Sequence, residues 1–246
     1  MIRALLWDVD GTLAETERDG HLVAFNRAFE TAGVPWRWSA AHYGRLLEVA
    51  GGYERLLHDL KHRDAAPAGS AAREGLARQL HRLKNGFYED IVRAGELPLR
   101  AGVPELLAEC TAAGVPMAIA TTTTPSNVAA LLGHHLGGDW RGRFAAVVTA
   151  AEAPRKKPDP QVYELALAAL GVGAREAAAI EDAPAGVYAC RRAGVPVIVA
   201  HSHYFPDAVA GARAAGPSLG SGAGWRPAAA VPGTRIGLEQ IRRWCA

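Results

Sequence analysis

The sequence predicts an α/β fold: a doubly wound parallel sheet with a helical cap inserted after its first strand. Three observations carry this expectation. Short apolar runs alternate with stretches of helical period over the C-terminal two thirds of the chain. A first apolar run, Ile2 to Trp7, stands alone at the N-terminus and leads directly into Asp8-Val9-Asp10-Gly11-Thr12. Between these two parts lies a segment, residues 17–93, that is helical in period and poor in β-branched residues.

Taken in order, Ile2–Trp7 reads as a buried strand, and Gly11 forces a turn after it. Leu22, Phe25, Phe29 and Ala32 recur three to four apart and predict a helix that Gly33-Val34-Pro35 stops. Tyr43, Leu46, Leu47 and Ala50 predict a second helix ending at Gly51-Gly52, and Leu56, Leu57 and Leu60 a third. The Ala/Pro/Gly/Ser-rich residues 64–71 read as a loop before a long amphipathic helix from Ala72 to Ile91. Further strands are predicted at Val115–Ala120, Phe144–Val148, Ala177–Ile180 and Pro196–Ala200, with helices over 103–113, 126–132, 160–170 and 185–193 between or beside them. Residues 1–16 and 94–246 are thus expected to form a Rossmann-like core and 17–93 the cap. The Ala/Gly/Pro/Ser-rich stretch at 209–235 is expected to be mobile, and residues 237–245 to form a short terminal helix.

The 246 residues, 49% hydrophobic, are enough for a full core plus a smaller domain. A net charge of +2 gives no reason to invoke nucleic acid or a membrane surface. Cys110, Cys190 and Cys245 are odd in number and widely spaced, which suits a reducing compartment and no disulfide framework. No stretch has the length of a bilayer span, and the expectation is a soluble, cytoplasmic monomer. Lysine occurs only at 61, 84, 156 and 157 in a chain otherwise supplied with arginine, a bias read here as codon usage.

The chemistry lies at the strand ends. Two carboxylates, Asp8 and Asp10, are too costly to bury unpaired inside a strand, so both belong where the first strand leaves the sheet, the edge at which open α/β sheets bind ligands. The second strand delivers Thr121, followed by Thr122 and Thr123. After the third come Lys156-Lys157-Pro158-Asp159-Pro160, where the prolines favour an extended approach that fixes a lysine. The fourth delivers Glu181-Asp182. Carboxylates converging on one pocket repel each other unless a cation neutralises them, and an all-oxygen set suits Mg²⁺. Carboxylates, a cation, a threonine and a lysine around one centre point to phosphoryl transfer.

These four signals, in this order, resemble the haloacid dehalogenase superfamily of phosphohydrolases, subfamily I. The resemblance implies Asp8 as nucleophile and metal ligand, and Asp10 as general acid then base, with its carbonyl on the metal. It implies Thr121 and Lys157 as holders of the transferring phosphoryl group, with Glu181 and Asp182 completing the Mg²⁺ site. Asp8–Phe29, with Glu17 and His21, resembles more narrowly the CbbY group, which acts on sugar bisphosphates such as xylulose 1,5-bisphosphate. So do Ile119–Thr123 with Asn127, and Lys156–Tyr163. Glu17, His21, Gly51, Gly52, Tyr53, Arg55, Thr122, Thr123 and Asn127 are then expected to face the sugar. At Tyr53 that group usually has a lysine poised for the distal phosphate. Either Arg55 or another cap arginine (Arg45, Arg78, Arg82) compensates, or the substrate has no second phosphate. The expected partner is a small phosphorylated sugar. A β-phosphoglucomutase-like phosphomutase shares the motifs, and a non-catalytic sugar-phosphate sensor is the reading from another class.

Overall fold

The computed structural model describes residues 1–246 except 208 and 232. Six parallel strands form one sheet: β1 (Ala4–Trp7), β2 (Met117–Ala120), β3 (Ala146–Val148), β4 (Ala177–Glu181), β5 (Val197–Ala200) and β6 (Ala214–Gly216), in spatial order β3-β2-β1-β4-β5-β6. The central strand is the N-terminal one, with Leu5 opposite both Met117 and Ala178. The chain runs outward through β2 and β3, then returns to the other side of β1, so strand order switches at β1.

Both faces of the sheet are covered, and β1 divides its side chains between them by simple alternation. Leu5 and Trp7 join one cluster with Ile119, Ile180 and Ile198. Ala4 and Leu6 join the other with Ala118, Ala179, Val197 and Val199. The helices are α1 (Leu22–Thr31), α2 (Ala40–Leu46), α3 (Gly52–Leu60), α4 (Ser70–Arg93), α5 (Val103–Ala112), α6 (Pro125–Leu136), α7 (Gln161–Leu170), α8 (Pro184–Arg192) and α9 (Leu238–Cys245). Helices α1–α4 enclose an aromatic cluster of their own, in which Phe25, Phe29, Trp38 and Tyr43 meet Leu56, Leu60 and Leu80. Buried Asp59 ties that cluster together, accepting from Trp38 Nε1 at 2.7 Å and Arg63 Nε at 2.5 Å. The two strands of chain that enter and leave α1–α4 run side by side: Ala14 bridges Leu99, and Arg100 N donates to Leu13 O.

The segment expected to be a mobile tail is built into the core instead, apart from 232, which lies outside the described residues. Ala214–Gly216 adds β6 beside β5, and Ala215 and Arg226 exchange backbone hydrogen bonds of 2.9 and 2.8 Å. Leu219, Trp225 and Ala229 are buried, and Trp225 stacks on Trp244 of α9 at 4.8 Å. The small side chains serve close approach here: a Cβ on Gly216 would strike the Trp225 indole. A second feature without a sequence expectation is a π-helical turn, Thr16–His21, ahead of α1. Among the described residues no helix is long and apolar enough to cross a membrane.

Candidate active site

The strand ends converge as the chemistry requires. Asp8 follows β1, Thr121 follows β2, and Glu181-Asp182 close β4; all four are buried. Gly11, at φ +82°, makes the turn after Asp10 and clears space, since a Cβ there would fall on the Asp182 carboxylate. Gly186, in the first turn of α8, does the same for Glu181.

Carboxylate oxygens of Asp8, Glu181 and Asp182 lie within 4.8 Å of one another. Lys157 reaches into this cluster from the loop before α7, donating to Asp8 Oδ1 at 2.6 Å and Glu181 Oε1 at 2.7 Å. Tyr163 OH also donates to Glu181, and Ser202 Oγ donates to Asp182 Oδ2 at 2.6 Å. Three buried carboxylates thus cluster beside one ammonium, which bonds two of them. Burial pushes Asp8 up to about 7 against the pull of Lys157, with Glu181 pushing the same way. Burial, then the charges of Asp8 and Glu181, push Asp182 well above the usual carboxylate range. Burial works against the charge on Lys157, but Asp8 and Glu181 overcome it and raise the ammonium above its ordinary value. The set is short of positive charge, all oxygen and preformed, and it fits a hard divalent cation.

Asp10 has a different environment. Its Oδ1 accepts from Thr16 Oγ1 at 2.6 Å and lies 3.0 Å from His21 Nε2, both in the π-helical turn. Burial opposes ionisation, but His21 by charge and hydrogen bond, then Thr16 and Lys84, outweigh it and hold Asp10 well below its ordinary value. Asp8 and Asp10, two residues apart, thus sit in different surroundings: Asp8 among carboxylates and Lys157, Asp10 against Thr16 and His21.

Above these groups opens a cavity of about 550 Å³ between strand ends and cap helices. Asp8, Asp10, Thr121, Lys157, Glu181 and Asp182 line it. So do all the residues expected to face the sugar: Glu17, His21, Gly51, Gly52, Tyr53, Arg55, Thr122, Thr123 and Asn127. Asn127 Nδ2 donates to Thr123 Oγ1 at 3.0 Å, and its Oδ1 is buried without a partner. Arg55 is buried and held through Nε and Nη1: it donates to Tyr43 OH at 2.7 Å and Leu46 O at 3.1 Å, and sits 3.6 Å from Glu17 Oε2. Tyr43 OH in turn donates to Glu17. The arginines Arg45, Arg78 and Arg82 are not among the lining residues.

Several lining or supporting groups had no sequence expectation as site residues. Thr16 and Ser202 orient carboxylates, and strand-end position marks Ser202, two residues beyond β5. Lys84 and His81 come from α4, with Lys84 over the Tyr88 and Phe25 rings at 5.1 and 5.5 Å and without a carboxylate partner among the described residues. Burial lowers Lys84 to about 8, and burial with the nearby Lys84 charge lowers His81 to about 4.

The haloacid dehalogenase-like hydrolase family model matches residues 2–194. The chain belongs to that family. It is 45% identical over 247 residues to the plasmid-borne protein CbbY of Cupriavidus necator, covering 99% of this chain and 96% of the relative. CbbY of Cereibacter sphaeroides is 39% identical over 204 residues, covering 83% of this chain and 86% of the relative. Among solved structures, a mutant of CbbY from Rhodobacter sphaeroides in complex with xylulose 1,5-bisphosphate superposes with a TM-score of 0.85 at 34% identity, over 98% of this chain and 99% of that one. A β-phosphoglucomutase from Clostridium difficile shares the fold, with a TM-score of 0.69 at 18% identity over 89% of this chain and 92% of that one. The α/β core and the hydrolase class expected from the sequence are therefore those of the family.

Proposed function

We propose that this protein is a Mg²⁺-dependent phosphatase of small phosphorylated sugars, working through an aspartyl-phosphate on Asp8, with a sugar bisphosphate such as xylulose 1,5-bisphosphate as substrate. The observation that carries the chemistry is the convergence of Asp8, Glu181 and Asp182 with the Lys157 ammonium at the floor of one cavity that Asp10, bonded to Thr16 and His21, also lines. The observation that carries the substrate class is the full-length similarity to CbbY proteins.

Asp8 attacks phosphorus through a carboxylate oxygen, and the ester bond to the sugar oxygen breaks. The proton that the departing alkoxide needs passes through Asp10 from the Asp10–His21 pair, whose Oδ1 and Nε2 are 3.0 Å apart. Asp10 then takes a proton from the water that hydrolyses the acyl phosphate. Thr121 and Lys157 hold the phosphoryl oxygens. Asp8, Glu181, Asp182 and the Asp10 carbonyl would hold the metal, whose charge offsets the phosphoryl and carboxylate repulsion. Glu17 and Asn127 offer acceptors to sugar hydroxyls; the unpartnered Asn127 Oδ1 supports this role.

Phosphate release with Mg²⁺ from xylulose 1,5-bisphosphate, ribulose 1,5-bisphosphate, monophosphates and glucose 1-phosphate tests the proposal, with Asp8→Asn as the blank. The expected result is preferred hydrolysis of a bisphosphate and a labelled phosphoprotein in the wild type that Asp8→Asn lacks. Conversion of glucose 1-phosphate to glucose 6-phosphate without free phosphate would make the protein a mutase. No release from any substrate would leave a sensor.

A further inference from the structure

The cap side of the cavity holds an ion pair that the chemistry at Asp8 does not use. Lys156, on the core loop before α7, donates to Glu54 Oε1 in the first turn of α3 at 2.5 Å, across 102 positions of sequence. The side chains are 23% and 45% exposed, and so wet a pair adds little to stability. Both residues line the cavity beside Gly51, Tyr53 and His81. Gly51, at φ +97°, lets the chain pass directly beneath: a Cβ there would run into the Glu54 carboxylate and the Lys156 ammonium. His81 stands behind, with Nε2 3.2 Å from where a Gly52 Cβ would be and its ring 6.3 Å from that of Tyr53.

The other lining cations are committed elsewhere. Lys157 is bound to Asp8 and Glu181. Arg55 is held by Tyr43, the Leu46 carbonyl and Glu17. Lys84 lies between aromatic rings, where it feels Asp10 and Glu17. Lys156 alone has a partner, Glu54, that is free to swing into water.

We propose that Lys156 is the specificity-determining ligand for the second phosphate of a sugar bisphosphate, and that Glu54 occupies its place until that phosphate arrives. The proposal rests on the sugar-bisphosphate reading above. A phosphate dianion carries more charge and more acceptor oxygens than the carboxylate it displaces, so the exchange runs toward phosphate when one is presented. A monophosphate leaves the Lys156–Glu54 pair intact. Consecutive lysines on one core loop then divide the two phosphates, Lys157 taking the one transferred and Lys156 the one retained. The neutral Tyr53 leaves the charge for this contact to the core.

The full-length protein with Mg²⁺ is assayed for phosphate release from xylulose 1,5-bisphosphate and from the two xylulose monophosphates. The readout is the ratio of kcat/KM for bisphosphate to that for monophosphate. Lys156→Met is expected to lower this ratio at least tenfold, chiefly through KM for the bisphosphate. Glu54→Gln, which removes the competing charge, is expected to raise it about threefold or more. A pair with a purely structural role would move the ratio the same way in both variants, and that result overturns the proposal. So does a ratio unchanged in Lys156→Met while the wild type prefers the bisphosphate. A wild type without that preference refutes the underlying reading, and the proposal with it.

Discussion

Lys84→Met separates what a buried charge costs the fold from what it does for turnover. The Lys84 side chain is 3% exposed, rests over two aromatic faces and has a single hydrogen bond, to Asn85 Oδ1 at 3.3 Å. Burial lowers it from 10.5 to about 8, which corresponds to about 3 kcal/mol. Between those two pH values the unfolded chain holds a proton that the folded protein has released, so stability rises with pH across the window. Below pH 8 the whole cost is present. Methionine is unbranched, similar in length and at home against aromatic rings, so it fills the channel without the charge. Lys84→Met is therefore expected to be more stable than the wild type at pH 7 by up to about 3 kcal/mol, several degrees in Tm for a chain of this size. That advantage shrinks to nothing as pH rises from 8 to 10.5. Turnover moves the other way: Lys84 lines the cavity and its charge helps hold Asp10 down, so its loss is expected to lower kcat/KM at pH 7 about tenfold. Denaturant unfolding at pH 7 and 10, with phosphate release at pH 7, reads both. A variant less stable than the wild type at pH 7, or a stability gap that does not close with pH, would refute the reasoning.

Three further outcomes are expected. Asp10→Asn retains the backbone carbonyl but no longer transfers protons, so kcat falls about 10²–10⁴-fold while substrate still binds; near-normal turnover would remove Asp10 from the acid–base role. Lys157→Met leaves Asp8 and Glu181, beside Asp182, without the cation they share and destabilises the metal-free protein by about 3–5 kcal/mol, largely restored by millimolar Mg²⁺. Thermal unfolding with and without Mg²⁺ measures this, and an equal loss in both would contradict a shared cation site. Gly186→Ala puts a methyl group on the Glu181 carboxylate and should raise the Mg²⁺ concentration needed for half-maximal phosphate release about tenfold; an unchanged requirement would argue that Glu181 does not serve the metal.

The parts of the site legible in the sequence are those written in strand ends. An apolar run followed at once by Asp8, Thr121 or Glu181-Asp182 states both where the residue is and that it faces a ligand edge, because β1, β2 and β4 are neighbours in the sheet. Local pattern was silent where position depends on packing between distant segments. Lys84 sits within a polar, amphipathic α4 and differs from a solvated lysine only because Phe25 and Tyr88 close over it. Its rarity was a usable signal: of four lysines in an arginine-supplied chain, Lys84, Lys156 and Lys157 line the cavity, so codon usage is not the whole account of where lysine was kept. The segment at 209–235 misled because small residues serve two opposite ends, freedom in a linker and close approach beneath Trp225, and composition does not distinguish them. The π-helical turn at Thr16–His21 has no propensity signature; it brings Thr16 and His21 together on Asp10.

Charge divides the labour between the two halves of the molecule. The core contributes a cluster of buried carboxylates that is unfavourable alone and becomes favourable only with a cation and a phosphoryl group between them. In the proposed mechanism that arrangement is indifferent to the rest of the substrate, since it acts on the phosphoryl group, the metal and water. Selectivity must come from residues whose state changes with the sugar. Among the lining cations, Arg55 is held by Tyr43 and Lys84 lies between aromatic rings, whereas Lys156 holds a carboxylate that solvent can take back. Substitutions at Lys156 should therefore alter which phosphorylated sugar is hydrolysed, while those at Asp8, Glu181 and Asp182 alter whether any is.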